Sequence, residues 1–380
     1  MKNSFEVIVV GAGSMGMSAG YYLARRGVRT LMIDSYDPPH ENGSHHGEPR
    51  LIRHAYSGGK SYINLALDAD RLWRELEDAS GQKLLARSGV LNMADRSIGK
   101  FIPRLPGCAE AGVQVEMLDA AEVHRRYAGI TLPESYEAMY EPNAGYLYSE
   151  QCIAAYRKLA LAEGAMLLPY NPVQHIQADG AGVRVRTRAG EFSADQLIIT
   201  AGAWFKHLEP FVTLPIRAVR KTVGWFRTEP QFYDAGIFPG FTLETQKGGY
   251  YGFPNINGAG IKIGRHDGGL PWSPGEQVAP FGHLEEDEGD LRRTLSAFLP
   301  QSAGELLQSA VCKYELTPDE HFIIDRHPLY ANVYLAGGFS GHGFKFASAV
   351  GSLLADLVQQ VPTTVDLSTF SLSRFNHMKS

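Results

Sequence analysis

The strongest constraint on this chain lies near its N-terminus. Residues 5–10 form a short β-branched run, the pattern of a strand buried on both faces of a sheet. Residues 14–26 read as a helix ending in Arg25-Arg26-Gly27, a basic last turn followed by a glycine stop. Residues 30–34 read as a second buried strand, so the chain opens as a βαβ unit with a right-handed crossover. Between the first strand and the helix stands Gly11-Ala12-Gly13-Ser14-Met15-Gly16. In this position the first glycine permits a tight turn and the second lets the backbone approach a pyrophosphate. The third lets the helix pack against the strand, and the helix N-terminus faces the phosphates. Asp34 ends the second strand, where an acid grips a ribose hydroxyl. The arrangement predicts dinucleotide binding rather than a merely structural turn. It does not separate NAD from FAD.

Composition narrows the classes. A chain of 380 residues predicts two domains, interleaved or not. Lys plus Arg is 36 against 41 Asp plus Glu, which argues against a nucleic-acid footprint. Glycine, 41 residues, exceeds the usual ~7% share, so the fold needs tight turns or close backbone approach. The three cysteines, Cys108, Cys152 and Cys312, have no metal-ligand spacing and do not suggest a disulfide framework. The adjacent His45 and His46 do not chelate one ion easily, so no metal site is expected. The most apolar stretch, 7–24, is broken by Gly11, Gly13, Gly16 and Gly20 and does not read as a membrane span. No signal-peptide pattern is present, so a cytoplasmic protein is expected. Neither a GxSxG elbow nor a Walker motif occurs.

Further along, 35–61 is a long loop, which in a compact domain is usually functional. Residues 63–78 place Leu65, Ala69, Leu72, Trp73 and Leu76 on one helical face. Residues 149–163 read as a helix. Strands are expected at 172–177, 182–188 and 196–200, the first two joined at Asp179-Gly180. Alternation over 216–228 and 237–264, with Gly/Asn turns, predicts an antiparallel sheet. A polar helix at 287–299, a strand at 333–335 and a helix at 344–359 complete the pattern. Two glycine-bearing turns follow strands. Thr200-Ala201-Gly202 is equally a tight exit or a cofactor contact. Gly337-Gly338-Phe339-Ser340-Gly341-His342-Gly343, before the last helix, favours a cofactor contact over an ordinary loop. By residue type alone Cys312 reads as a buried small hydrophobe.

Several separated segments then converge. Ser44-His45-His46-Gly47, 50–56, 262–266, Ala310-Val311-Cys312 with Tyr314, 319–325 and 338–346 together resemble the monomeric sarcosine oxidase and N-methyltryptophan oxidase family, nearly end to end. The resemblance implies FAD attached covalently through a cysteine thioether to the flavin 8α-methyl, and Cys312 matches that cysteine. It implies oxidation of the C–N bond of an N-methyl amino acid. The products would be formaldehyde, the free amino acid and, from O2, hydrogen peroxide.

The family roles fall on particular residues. Arg53 and Lys345 match a clamp for the substrate carboxylate, one bidentate donor and one point charge. Lys262 matches the lysine that assists oxygen near the flavin, where a fixed cation stabilises developing charge. Arg50 matches an arginine on the other flavin face. His266 and Tyr251 match residues shaping the substrate pocket, with Tyr314 a similar candidate, and His46 matches a histidine near the attachment region. Gly11, Gly13, Ser14, Met15, Gly16, Asp34, Gly338, Gly341, Gly343 and Lys345 complete the expected cofactor site. Two positions depart from the sarcosine type. Pro49 replaces a threonine, removing a flavin-side hydroxyl. Thr242 replaces a bulkier methionine and leans towards larger N-methyl amino acids.

The expected fold is therefore α/β. A doubly wound, Rossmann-like FAD-binding domain comprises 1–80, 150–215 and 310–380, and an antiparallel-sheet substrate domain comprises 81–149 and 216–309. The expected partners are a small N-methyl amino acid and O2, with no nucleic acid and no membrane, and the chain is expected to be a monomer. Rival readings are an amine oxidase of the same fold acting on cyclic imino acids or sugar-modified amino acids, an NAD-dependent dehydrogenase, and a non-catalytic flavin-binding protein.

Overall fold

The computed structural model describes residues 3–56 and 58–379. Its first sheet is built around Ser4–Val10, which pairs in parallel with Thr30–Ile33 on one side and Gly190–Ile199 on the other. Met166–Leu168 extends the parallel run beyond Thr30–Ile33, and Val333–Gly337 extends it beyond Gly190–Ile199. Alternation along these strands feeds two cores, as the pleat requires. Val7, Val9, Met32 and Ile198 pack under the helices Ser14–Arg25, Lys60–Ser80, Ser149–Ala162 and Ala347–Val358. Ile8, Val10, Ile33, Leu197 and Ile199 face the opposite way, against Phe205 and Val212. The predicted hairpin is present: His175–Asp179 and Gly182–Thr187 pair antiparallel, and the Asp179 carboxylate accepts from the Ala181 and Gly182 N–H groups. The long loop holds one short strand, Arg50–Ile52, in a small sheet with Gly145–Leu147 and Leu85–Ala86.

The second sheet carries the remaining chemistry-bearing strands. Its order is Leu270–Pro271, Arg217–Phe226, Ile261–Arg265, Gly248–Phe253, Gly240–Thr245, Val90–Asp95, Tyr136–Glu141 and Glu116–Asp119. Leu306–Leu316 pairs antiparallel with Arg217–Phe226. One pair departs from the antiparallel expectation: Gly240–Thr245 runs parallel to Val90–Asp95. The junction joins segments 150 positions apart, and local alternation carries no sign of it. We propose placing a domain boundary after Leu316 rather than at 310, because the hydrogen bonds of the whole strand belong to the second sheet.

Arg217–Phe226 positions the site because it pairs with both the Lys262 strand and the Cys312 strand. A buried bidentate ion pair ties it to the helix Glu286–Phe298. Arg220 Nη1 and Nη2 donate to Asp287 Oδ1 and Oδ2 at 2.8 and 2.7 Å, and both side chains are 5% exposed. Removing one partner strands a buried charge. Asp287→Ala is expected to lower stability by about 3–5 kcal/mol, read as a shift of the urea midpoint.

Candidate active site

A long cavity runs along the carboxyl ends of the parallel strands. It is lined by Gly11, Gly13, Ser14, Met15, Asp34, His45, Arg50, Tyr314, Glu315, Gly341 and Gly343 among others. Thr200, Ala201 and Gly202 also line it, which assigns that strand exit to the cavity. The motif glycines divide into two kinds. Gly11 has φ +92°, and a Cβ there would stand 2.4 Å from the Thr200 carbonyl oxygen. A Cβ on Gly16 would stand 1.9 Å from the Gly11 carbonyl oxygen. Both are demanded by the protein itself. Gly13 is not: its φ is −70° and nothing lies within 4 Å of a Cβ built there. Its missing side chain leaves open space at the cavity wall, a cradle that a Cβ would fill.

The helix beginning at Ser14 has neither a side-chain cap nor an acid in its first turn, so its N-terminal N–H groups are free for an anion. Asp34 accepts from the Ala12 N–H at 2.7 Å and the Tyr36 N–H at 2.9 Å, which fixes its carboxylate at the cavity edge. These features fit a dinucleotide with its pyrophosphate at Gly13 and a ribose at Asp34.

The histidine pair splits. His45 is buried, lines the cavity, and is neutral, its pKa pushed down to about 3 chiefly by burial. Its Nε2 accepts from the His40 N–H. His46 lies off the cavity wall, with Nδ1 2.9 Å from Glu150 Oε1. The loop glycines also divide: Gly341 and Gly343 line the cavity, whereas Gly338 does not. A Cβ on Gly338 would stand 2.3 Å from the Thr317 methyl. Glu315 was not singled out from the sequence. It is 6% exposed, its Oε2 has no partner, and burial raises its pKa to about 7.

Tyr314 connects the cavity to a second cluster of predicted residues. Its hydroxyl donates to Tyr251 Oη at 3.5 Å, and its ring lies 5.8 Å from the His266 ring. Tyr251 stands opposite Gly264 across the sheet, and the absent side chain there makes room for its ring. Lys221 holds the turn after His266 by donating to the carbonyls of His266, Asp267 and Gly268. Burial and the neighbouring Lys221, Arg53, Lys345 and Lys100 push His266 down to about 3, so it is neutral at physiological pH. Cys312 shares one face of its strand with Tyr314, is buried, and is a free thiol.

Among the described residues the basic side chains here form no ion pairs. Lys262 is 1% exposed and donates to the carbonyls of Gly47 at 2.6 Å and Pro49 at 3.1 Å. Arg50 donates to the same two carbonyls and to those of Ser44 and His46. Burial, then Arg50, hold the Lys262 pKa well below the usual lysine value. Lys345 is 5% exposed and donates to Tyr56 Oη at 2.9 Å. The Arg53 guanidinium sits over the Tyr56 ring, 5.2 Å from its centroid. Among the described residues neither Arg53 nor Lys345 pairs with a carboxylate.

Arg53 is oriented by residues that sequence reasoning did not single out. Asn92 Oδ1 accepts from Arg53 Nη1 at 3.3 Å and from Thr242 Oγ1 at 3.0 Å. Asn92 Nδ2 donates to the buried Glu141 carboxylate, which also accepts from the His54 and Ala55 N–H groups. Thr242 is thus a polar link to Arg53 as well as a small side chain. Gly13→Ala and Gly16→Ala separate the two kinds of glycine. Gly16→Ala is expected to lower the urea midpoint even without flavin. Gly13→Ala is expected to leave that midpoint unchanged and, in a Cys312→Ser background that bars covalent attachment, to weaken FAD affinity by roughly tenfold or more, about 1.4 kcal/mol, measured by fluorescence titration.

Comparison with known proteins agrees with this geometry. Residues 6–357 match the family model described as FAD dependent oxidoreductase. The chain is 45% identical over 378 residues to the monomeric sarcosine oxidase of Bacillus sp. (strain NS-129), covering 98% of each. It is 40% identical over 373 residues to the N-methyl-L-tryptophan oxidase of Yersinia pestis (strain Pestoides F), covering 98% of this chain and 99% of that protein. A solved structure of NikD, an unusual amino acid oxidase, superposes with a TM-score of 0.85 at 24% identity, covering 98% and 97% of the two chains; this likeness bears on the fold alone. The chain belongs to the FAD-dependent oxidoreductase family.

Proposed function

We propose that this FAD-dependent oxidoreductase oxidises N-methyl amino acids, of which sarcosine and N-methyl-L-tryptophan are the models, to the free amino acid, formaldehyde and hydrogen peroxide. The observation that carries this reading is the pair Arg53 and Lys345, two cations without carboxylate partners gathered on Tyr56. A substrate carboxylate is the missing counter-charge. The 40–45% relatives, whose names specify N-methylated amino acid substrates, support it over cyclic imino acids or sugar-modified amino acids.

FAD, when bound, accepts the electron pair from the substrate C–N unit and delivers it to oxygen. Gly11, Gly13, Ser14, Met15 and Asp34 would hold its dinucleotide end, and Arg50, Gly341 and Gly343 would lie along the rest. We assign covalent attachment to Cys312, a free thiol beside the cavity-lining Tyr314. The substrate carboxylate binds Arg53 and Lys345, which orients the N-methyl carbon and supplies part of the rate. His266, kept neutral, accepts a hydrogen bond from the amine without adding repulsion. Lys262, fixed on two carbonyls, stabilises negative charge developing on oxygen. No described helix is long and apolar enough to cross a membrane. We take the working form to be a cytoplasmic monomer.

The test is peroxide and formaldehyde formation from sarcosine and N-methyl-L-tryptophan side by side. Both products are expected from at least one. Arg53→Gln is expected to lower kcat/KM by roughly 10–100-fold, since a charge-assisted hydrogen bond contributes ~1.5–3 kcal/mol. Cys312→Ser is expected to release its flavin on acid precipitation while the parent protein stays yellow. Peroxide from neither of these nor from any other N-methyl amino acid overturns the assignment.

A further inference from the structure

Two basic side chains lie beside the carboxylate clamp, one of them with no carboxylate partner among the described residues. Arg104, at the end of the turn Ile102–Arg104, is 4% exposed. Its Nη1 donates to the Ala55 carbonyl at 3.2 Å, its Nε is buried without a partner, and it pairs with no carboxylate among the described residues. Lys100, on the loop just before it, pairs with Glu244. Both lie within electrostatic range of the clamp. Ala55, which Arg104 caps, adjoins Tyr56 of the clamp, and Glu244, which pairs with Lys100, shares a strand with Thr242, linked through Asn92 to Arg53. Burial first, with Arg53 adding to it, lowers the pKa of Arg104 and of Lys100.

Charge in this neighbourhood does not balance. The cations are Arg53, Lys345, Lys100 and Arg104, and the nearby carboxylates are Glu141 and Glu244. The His54 and Ala55 N–H groups and Asn92 hold Glu141 without cancelling its charge, and Glu244 pairs with Lys100, so four cations face two carboxylates. The substrate's α-carboxylate at Arg53 and Lys345 supplies a third negative charge, one cation is still in excess, and Arg104 is buried with no carboxylate contact among the described residues. A neutral amide could cap Ala55 equally well, and the Phe101 ring 5.8 Å away holds the guanidinium without neutralising it. Unpaired buried charge is costly, and functional sites are where such costs are kept.

We propose that the amino acid oxidised carries a second carboxylate on its side chain, docked at Arg104 with Lys100 beside it. The substrate class is then an N-methyl dicarboxylic amino acid. This rests on the oxidase reading above and specifies its substrate. A guanidinium takes a carboxylate bidentately, and an uncharged isostere would leave it unpaired, so the site discriminates strongly.

The test has a binding arm and a turnover arm. The flavin-loaded protein is titrated with glutarate and succinate, and with pentanoate and butyrate of matching length, following the visible flavin spectrum. A dicarboxylate is expected to bind tenfold or more tightly than its monocarboxylate, and the two are expected to fall within threefold of each other in Arg104→Gln. Lys100→Gln, at a partly exposed position, reads the same ratio should Arg104→Gln misfold, and it is expected to reduce the preference. Equal affinities in the parent protein, no spectral response to any acid, or a preference that survives both substitutions overturns the proposal. In turnover, N-methyl-L-glutamate or N-methyl-L-aspartate is expected to exceed its side-chain amide in kcat/KM by tenfold or more, and equality overturns the proposal. Absence of peroxide from every N-methyl amino acid defeats the oxidase reading instead, and the binding arm then decides the subsite alone.

Discussion

Buried basic side chains without matching carboxylates are the constraint around which this molecule is organised. Lys221, Lys262, Lys313, Lys345 and Arg104 are each less than a tenth exposed, and Arg53 is half-buried beside them. Among the described residues none pairs with a carboxylate. Backbone carbonyls and aromatic faces hold them instead: Gly47 and Pro49 for Lys262, three turn carbonyls for Lys221, Tyr56 for Lys345 and Arg53, and Trp204 with Trp272 for Lys313. Such partners keep a cation in place without neutralising it. The anion is left to whatever binds, and that requirement unites the helix N-terminus at Ser14, Lys262 and the pair Arg53 and Lys345.

Supporting this charge requires two rigid sheets meeting at one strand. Leu306–Leu316 hydrogen-bonds within the second sheet, yet its residues Tyr314 and Glu315 wall the cavity of the first. The Arg220–Asp287 pair anchors the neighbouring strand from behind. Tyr314 then contacts Tyr251 and His266, so the cavity and the Tyr251–His266 cluster share a wall.

What could be read from the sequence was what is local in the chain. The glycine motif, Asp34 and the hairpin at 179–182 depend on neighbours a few positions away, and their turn chemistry is written there. The clamp residues came from resemblance, since an isolated Arg53 or Lys345 looks like any surface cation. The remaining features arise from contacts between distant segments. Asn92 orients Arg53 only because Val90–Asp95 lies against Gly240–Thr245, a parallel pairing with no local signature. His45, not His46, faces the cavity because the loop turns there. Glu315 becomes a cavity carboxyl, and Arg104 an unpaired guanidinium, only once burial has removed their water.

The most direct test of the central claim removes the anion from the substrate. The flavin-loaded protein is mixed anaerobically with sarcosine and, separately, with ethylmethylamine, which keeps the N-methyl amine and lacks the carboxylate. The visible flavin band is then followed. The account predicts bleaching by sarcosine and none by the amine at equal concentration. Equal bleaching by both would show that the unpaired cations do not select the substrate, and bleaching by no N-methyl amino acid would contradict the assigned chemistry.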